Sequence, residues 1–568
     1  VASTPPPRPG LPGTLDHAAP LRRRTLLGGT ALAAGLLASG CSLQITSKPD
    51  PTIGDDTLLI AGDKGTPTFT ANFNPFNANA RKAAAIVYEP LIWINPLDGT
   101  LVPWLAESWE QPDPQKIVLT LRSGATWHDG TPLTTGDVDY TFRMLKEHPA
   151  NDTGGVWSRV DTVETTDSTI EITLLAPDSP ALPVIGAMLI VPEHIWADVE
   201  DPSTWRNEEP VGSGPFQLGN FTSLQYTLDR YAGYWQADQI DVEHLVYPAA
   251  SEEMDLVTKG YDWAYAYMSD VENTWMAANP HNRYWFPPGG IIGLHLNHDV
   301  APFDDLDVRR GLSLALDGKQ VGEVAAEGYM DEASQSGLLL PNQEDLLNPE
   351  IPDRGIIARD ADAAIAAFEK AGFQHDGTTL RTADGEPFTF AITTANGYTD
   401  WLRAAQEVQR QLRGVGIEAT IETPQPAAYE ANLTSGDFAV AMGSSNGSDA
   451  FQGYSNLLWG EYYAPVGEAS QNNRIRYRND EVDQLIGDYR ASVDEDEQAR
   501  ILQQLEKIFY DDLPVIALYY GGLWGLYNDG RFTGWPSAED PYAPLQTYQS
   551  SPLRVLTRVR RVRNGGAS

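Results

Sequence analysis

A chain of 568 residues with 78 acidic and 39 basic side chains carries a formal charge of −39 at pH 7, which argues against nucleic acid or an anionic lipid surface as its target. The length exceeds what one hydrophobic core usually serves, so roughly two or three domains are expected. A single cysteine, Cys41, leaves no disulfide within one chain, and the fold must rest on burial alone.

In chain order, the Pro-rich opening around Pro5, Pro6 and Pro7 gives way to Arg22, Arg23 and Arg24, then to an apolar run of about fifteen residues ending at Ser39. A membrane span needs about 20 apolar residues, and Gly28, Gly29 and Gly35 interrupt this one, so it reads as an export signal over residues 1–40. Leu37-Ala38-Ser39-Gly40-Cys41 resembles a bacterial lipobox, although Ala38 stands where leucine is usual. The resemblance implies cleavage before Cys41 and a lipid on its sulfur. Arg23-Arg24 followed by Thr25-Leu26-Leu27 is also similar to a twin-arginine signal. Residues 41–56 have the composition of a flexible tether.

A first strand is predicted over 57–61, and 83–94 mixes helix and strand signals. Alternation over 116–122 predicts a half-buried strand; a helix follows from 135 through 146, and a second alternating strand covers 169–174. Further strands are predicted over 226–230 and 293–297, and helices over 308–316, 360–371, 401–415 and 494–510. Strands interleaved with helices give an α/β, mixed α+β class.

Several motifs stand in order along the chain: Tyr88-Glu89-Pro90-Leu91, Leu105-Ala106-Glu107-Ser108-Trp109, Trp127-His128-Asp129-Gly130-Thr131-Pro132, Pro210-Val211-Gly212-Ser213-Gly214-Pro215, Pro302-Phe303-Asp304-Asp305 and Gly436-Asp437-Phe438. Together they resemble solute-binding protein family 5, which serves peptide, nickel and oligosaccharide ABC importers. The resemblance implies a two-lobed periplasmic-binding-protein-like clamp, type II and cluster C-like, with an additional inserted domain. Lobe I is expected from residues 57–100, 211–290 and 521–568, the inserted domain from 101–210, and lobe III from 291–520. It implies a ligand held between lobes, an ABC permease and its ATPase subunits as partners, a monomer, no cofactor and no catalysis. His128 and Asp129 are then architectural, and the glycines at 212 and 214 mark a chain crossing and not a phosphate cradle.

A secreted hydrolase is the distant alternative. Gly443-Ser444-Ser445-Asn446-Gly447 fits a nucleophile elbow, but that fold needs an acid and then a histidine later in the chain, and the last histidine is His375. His295 and His298 lack metal-site spacing, and no metal is expected. Oligopeptides lead as ligand, with cello- and manno-type oligosaccharides as the alternative. A peptide's ammonium needs an acid, for which Asp449 is the candidate; sugars need aromatic faces and amides. The candidate ligand residues are Asn74, Phe76, Asn396, Tyr398, Trp401, Ser445, Asn446, Asp449, Tyr454, Trp459 and Trp535.

Overall fold

The computed structural model describes residues 53–63, 68–249, 254–445, 447 and 449–563. Cys41, the expected signal, most of the tether and Asn446 lie outside the described residues.

The strand Thr57–Ala61, TLLIA, is buried at every position, as a continuous apolar run must be when both sheet faces are covered. It lies parallel to His244–Pro248 on one side and Trp263–Tyr265 on the other. These belong to a seven-stranded sheet in the order Asn282–Trp285, Gly525–Asn528, Trp263–Tyr265, Thr57–Ala61, His244–Pro248, Gln225–Arg230, Phe216–Phe221. A four-stranded antiparallel sheet follows from Ala106–Asp113, Lys116–Leu121, Thr169–Leu174 and Val160–Thr165. Lys116–Leu121 and Thr169–Leu174 each bury every second residue, so the alternation read from the sequence is one covered face. The helix Thr135–Glu147 begins where the Asp137 carboxylate accepts the Thr134 backbone N–H at 2.8 Å, half of a capping box.

A five-stranded sheet forms the second body, in the order Glu418–Glu422, Thr389–Thr393, Val440–Ser445, Pro288–Leu296, Val515–Gly522. The helix Thr399–Arg413 connects two of its parallel strands and buries Ala404, Ala405, Val408 and Leu412, one face at helical spacing. Each body has its own core. One buried cluster joins Trp104, Trp127, Phe142 and Ile170 to Leu228, Leu245 and Trp263, so the four-stranded and seven-stranded sheets share it. A second runs from Ile291 through Leu412 and Phe451 to Tyr520, and a smaller one around Leu59, Ala61, Val246 and Trp275 covers the opposite face of the seven-stranded sheet.

The chain crosses between the bodies twice in strand form, from Asn282–Trp285 into Pro288–Leu296 and from Val515–Gly522 into Gly525–Asn528. A Cβ on Gly289 would meet the Leu523 side chain at 2.4 Å, so the two crossings touch through a residue that has no side chain. A side-chain contact joins the bodies elsewhere. The buried Asp178 carboxylate accepts from Arg159 of its own body and from Arg490 Nε of the other at 3.0 Å. The C-terminal segment returns to the first body, where Trp263 Nε1 donates to the Leu545 carbonyl and Trp93 Nε1 to the Ser550 carbonyl, both at 2.8 Å.

Among the described residues no helix is long and apolar enough to cross a membrane.

Candidate functional site

The two crossings form part of the wall of a cleft of about 790 Å³, within the usual range for ligand sites, about 300–1,000 Å³. The second body contributes Asp400 and Trp401 from the start of the helix Thr399–Arg413, Ser444 from the end of a strand, and Gln452 and Asn456 from the helix Ala450–Leu458. The first body contributes Ile94, Leu189, Tyr265, Gln546, Tyr548, Gln549 and Ser550, and Gly289, Gly290, Gly521, Gly522 and Trp524 come from the crossings.

Aromatic rings and side-chain amides stand among glycines and aliphatic residues in this lining. Trp524 meets Tyr267 and Phe286 edge-on with ring centroids 4.9 and 5.0 Å away, and Tyr265 meets Tyr548 at 5.2 Å. Asp400 is the charged lining residue among those described. Burial holds its carboxyl above the ordinary range, opposed by hydrogen bonding to the Trp401 backbone. Arg403, one turn along the helix, is occupied by Tyr267 Oη at 2.7 Å and the Ala325 carbonyl at 2.6 Å, and it does not line the cleft.

The residues expected from sequence divide. Trp401 lines the cleft and, with Ser445, a side cavity that opens from it. Asp449 lines a small recess beside Ser445 and caps the helix Ala450–Leu458, accepting the Gln452 N–H at 2.8 Å. Tyr398 and Asn396 are exposed and outside the cleft lining; Tyr398 stands edge-on to Trp401 at 5.3 Å.

The remainder are corrected to packing. Asn74 is fully buried, donating to the Pro202 carbonyl at 2.8 Å and the Trp205 carbonyl at 2.7 Å while its Oδ1 takes the Phe76 N–H. Phe76 packs edge-on against Trp196. Tyr454 is buried and donates to the Ser336 carbonyl at 2.8 Å. Trp459 is covered by the Arg490 guanidinium at 4.4 Å and by Tyr462. Trp535 lies in the first core against Trp263, its Nε1 donating to the Phe532 carbonyl.

Sequence reasoning missed Asp400, Trp524, Tyr548, Gln452 and Asn456. Trp524 had a signal, an indole between glycines just after a strand; Gln452 and Asn456 had only their i, i+4 spacing on one helix face.

The histidines also resolve. Gly212 N–H donates to His128 Nδ1 at 3.2 Å and His128 Nε2 to the Gly214 carbonyl at 3.0 Å, so this segment is pinned within the first body and is not a crossing between the two. A Cβ on Gly212 would sit 1.9 Å from the Val87 carbonyl oxygen, which explains the glycine without any phosphate. Ser445 Oγ lies 3.2 Å from His295 Nε2, a pairing that chain order concealed. A hydrolytic triad supplies a carboxylate to such a histidine, whereas burial, with the Arg474 cation adding to it, lowers the pKa of His295 to about 4. Among the described residues no group of three or more His, Cys, Asp or Glu is arranged to hold a metal.

Residues 100–463 match the family model for bacterial extracellular solute-binding proteins, family 5, middle part. The chain is 26% identical over 437 residues to the probable D,D-dipeptide-binding periplasmic protein of Escherichia coli K12, covering 73% of this chain and 78% of that protein. Among solved structures it resembles a periplasmic oligopeptide-binding protein of an oligopeptide ABC transporter from Thermotoga maritima, with TM-score 0.81 and 24% identity over 90% of this chain and 100% of that one. The mannohexaose-bound structure of that Thermotoga protein gives TM-score 0.72 at 24% identity, covering 90% and 99%. With the two bodies, the cleft between them and a family match over most of the folded chain, the protein belongs to the bacterial extracellular solute-binding proteins of family 5.

Proposed function

We propose that this chain is the receptor of an ABC importer and captures short oligopeptides in the cleft, delivering them to a membrane permease. The cleft of about 790 Å³, lined from both bodies and by the crossings, carries the reading. A ligand that touches both bodies favours the closed arrangement over the open one, and delivery then needs no bond to be broken. We take the closing bodies as residues 57–100, 211–290 and 521–568 on one side and 291–520 on the other, with 101–210 carried by the first. The receptor acts as a monomer and needs no cofactor. Asp400, raised by burial, gains from an incoming ammonium, and the peptide names of relatives favour the same class.

Cello- and manno-type oligosaccharides are the second reading. It is favoured by the absence of Lys and Arg from the described cleft lining and by its aromatic rings and amides, and by the mannohexaose complex of the Thermotoga protein. Calorimetry on residues 42–568 with tri- to pentapeptides and with cello- and manno-oligosaccharides separates them. Peptide binding that weakens on acidification, and that Asp400→Asn lowers about tenfold, is the expected result; binding of sugars alone overturns it.

Cys41, acylated more than once for stable anchoring, holds the receptor beside its permease at high effective concentration. Mass spectrometry of the protein from bacterial membranes should find a lipid at Cys41, and Cys41→Ala should release it to the medium; an unmodified, membrane-free wild type removes the anchor.

A further inference from the structure

Beside the cleft a second cavity of about 290 Å³ enters the second body, and the two share Trp401, Ser444 and Asn456. Its lining pairs apolar surface from Tyr429, Leu433 and Leu457 with the Ser445–His295 pair and neutral amides. The charges there are already matched, since Arg474 Nη1 pairs with Glu430 at 2.9 Å. His295 stays a neutral imidazole at physiological pH, because burial and Arg474 lower its pKa to about 4.

Gly453 lines the same cavity from inside the helix Ala450–Leu458, and a Cβ there would find nothing within 4 Å. Glycine in a helix interior costs about 1 kcal/mol relative to alanine, and no crowding at 453 forces that choice. What the missing side chain provides is room.

We propose that this cavity is a side pocket that receives one uncharged, hydroxyl-bearing ring projecting from the ligand in the cleft, with Ser445 and His295 at its polar end and Gly453 keeping it open. The inference rests on the cleft being the ligand site. A full charge finds no free counter-charge beside a matched ion pair and a neutral imidazole, while a hydroxyl on the ring can add a second hydrogen bond to Ser445 Oγ, which shares its first with His295, and a bare hydrocarbon ring cannot. Such a ring comes from a branch sugar or from a tyrosine side chain.

The test uses Gly453→Leu, which fills the pocket from a position with open space, and Ser445→Ala, which keeps the space and removes a hydroxyl. Calorimetry compares a galactosyl-branched with a linear manno-oligosaccharide, and Ala-Tyr-Ala with Ala-Ala-Ala. Gly453→Leu should weaken the ring-bearing member of whichever pair binds by about tenfold or more, leave its plain counterpart within about twofold, and keep the melting temperature. Equal loss for both members, or no loss for either, overturns the pocket. Ligand-detected NMR with p-cresol and methyl β-galactoside probes it without the full ligand: a signal lost in Gly453→Leu and weakened in Ser445→Ala supports the pocket, and no signal in the unaltered protein overturns it. Ring binding without binding of either oligomer counts against the cleft reading alone.

Discussion

Glu89 shows how far one residue can depart from its sequence appearance. It sits in the Tyr88-Glu89-Pro90-Leu91 motif, yet it is fully buried, its Oε1 accepting from Trp104 Nε1 at 2.8 Å, Tyr234 Oη at 2.9 Å and Trp235 Nε1 at 3.1 Å. Burial outweighs these donors and raises its pKa from 4.5 to about 7. The folded state then holds a proton that the unfolded chain has released, so its contribution to stability falls as pH rises from about 4.5 to about 7, by roughly 3 kcal/mol in all. Glu506, also raised to about 7 by burial, adds to the same slope. Glu89→Gln keeps the acceptor oxygen and should flatten part of the decline in melting temperature between about pH 5 and about pH 8; an unchanged slope would show that Glu89 is ionised in the fold. The sequence named Trp401 and Ser445 as candidates and passed over Asp400, the residue next to Trp401. Whether a carboxylate becomes a lone charge in a cleft depends on the facing body, and no local pattern encodes that.

Elements were more legible than residues. Strands at Thr57–Ala61 and Thr169–Leu174 and helices at Ala361–Lys370 and Glu495–Asp512 lie within one or two residues of their predicted ranges, the first because burial on both faces leaves an unbroken apolar run, the others because burial on one face writes itself into the spacing of apolar residues. The strand Pro288–Leu296 was legible only in its second half. Its opening Pro-Gly-Gly reads as a turn, and its pairing with Val515–Gly522 is irregular between Pro288 and Gly290; a neighbouring strand imposes extension there against local preference. The same ambiguity explains Tyr454 and Trp459. An aromatic within a helix or just past its end, as Tyr454 and Trp459 are, marks buried packing as readily as a stacking platform, and the Arg490 guanidinium already covers Trp459. Asp449 before an apolar helix carries an N-cap signature, and capping is what it does.

For the whole molecule, the ordered motifs were enough to suggest the family, while the coupling between its bodies was not. Asp178 and Arg490 are more than 300 residues apart in sequence, with no motif joining them. Asp178→Ala leaves Arg159 and Arg490 without their shared carboxylate. Because both guanidinium groups keep some exposure, the expected loss is about 3 kcal/mol, the lower end for a broken buried pair. In calorimetric unfolding the variant should show a broadened or split transition as the bodies melt separately. A single transition at the parent temperature would mean that the strand crossings and the remaining contacts between the bodies, such as Arg403 with Tyr267 and Gln498 with Ser179, couple them without Asp178. The anchoring of Trp93 on Ser550 and Trp263 on Leu545 bears on biosynthesis. The body built first by the ribosome is completed last, since its early strands await residues near the end of the chain. Until Val515–Gly522 has been made neither body has all its strands, and the second is then completed before the first, whose residues 57–290 still wait for Gly525–Asn528, Leu545 and Ser550.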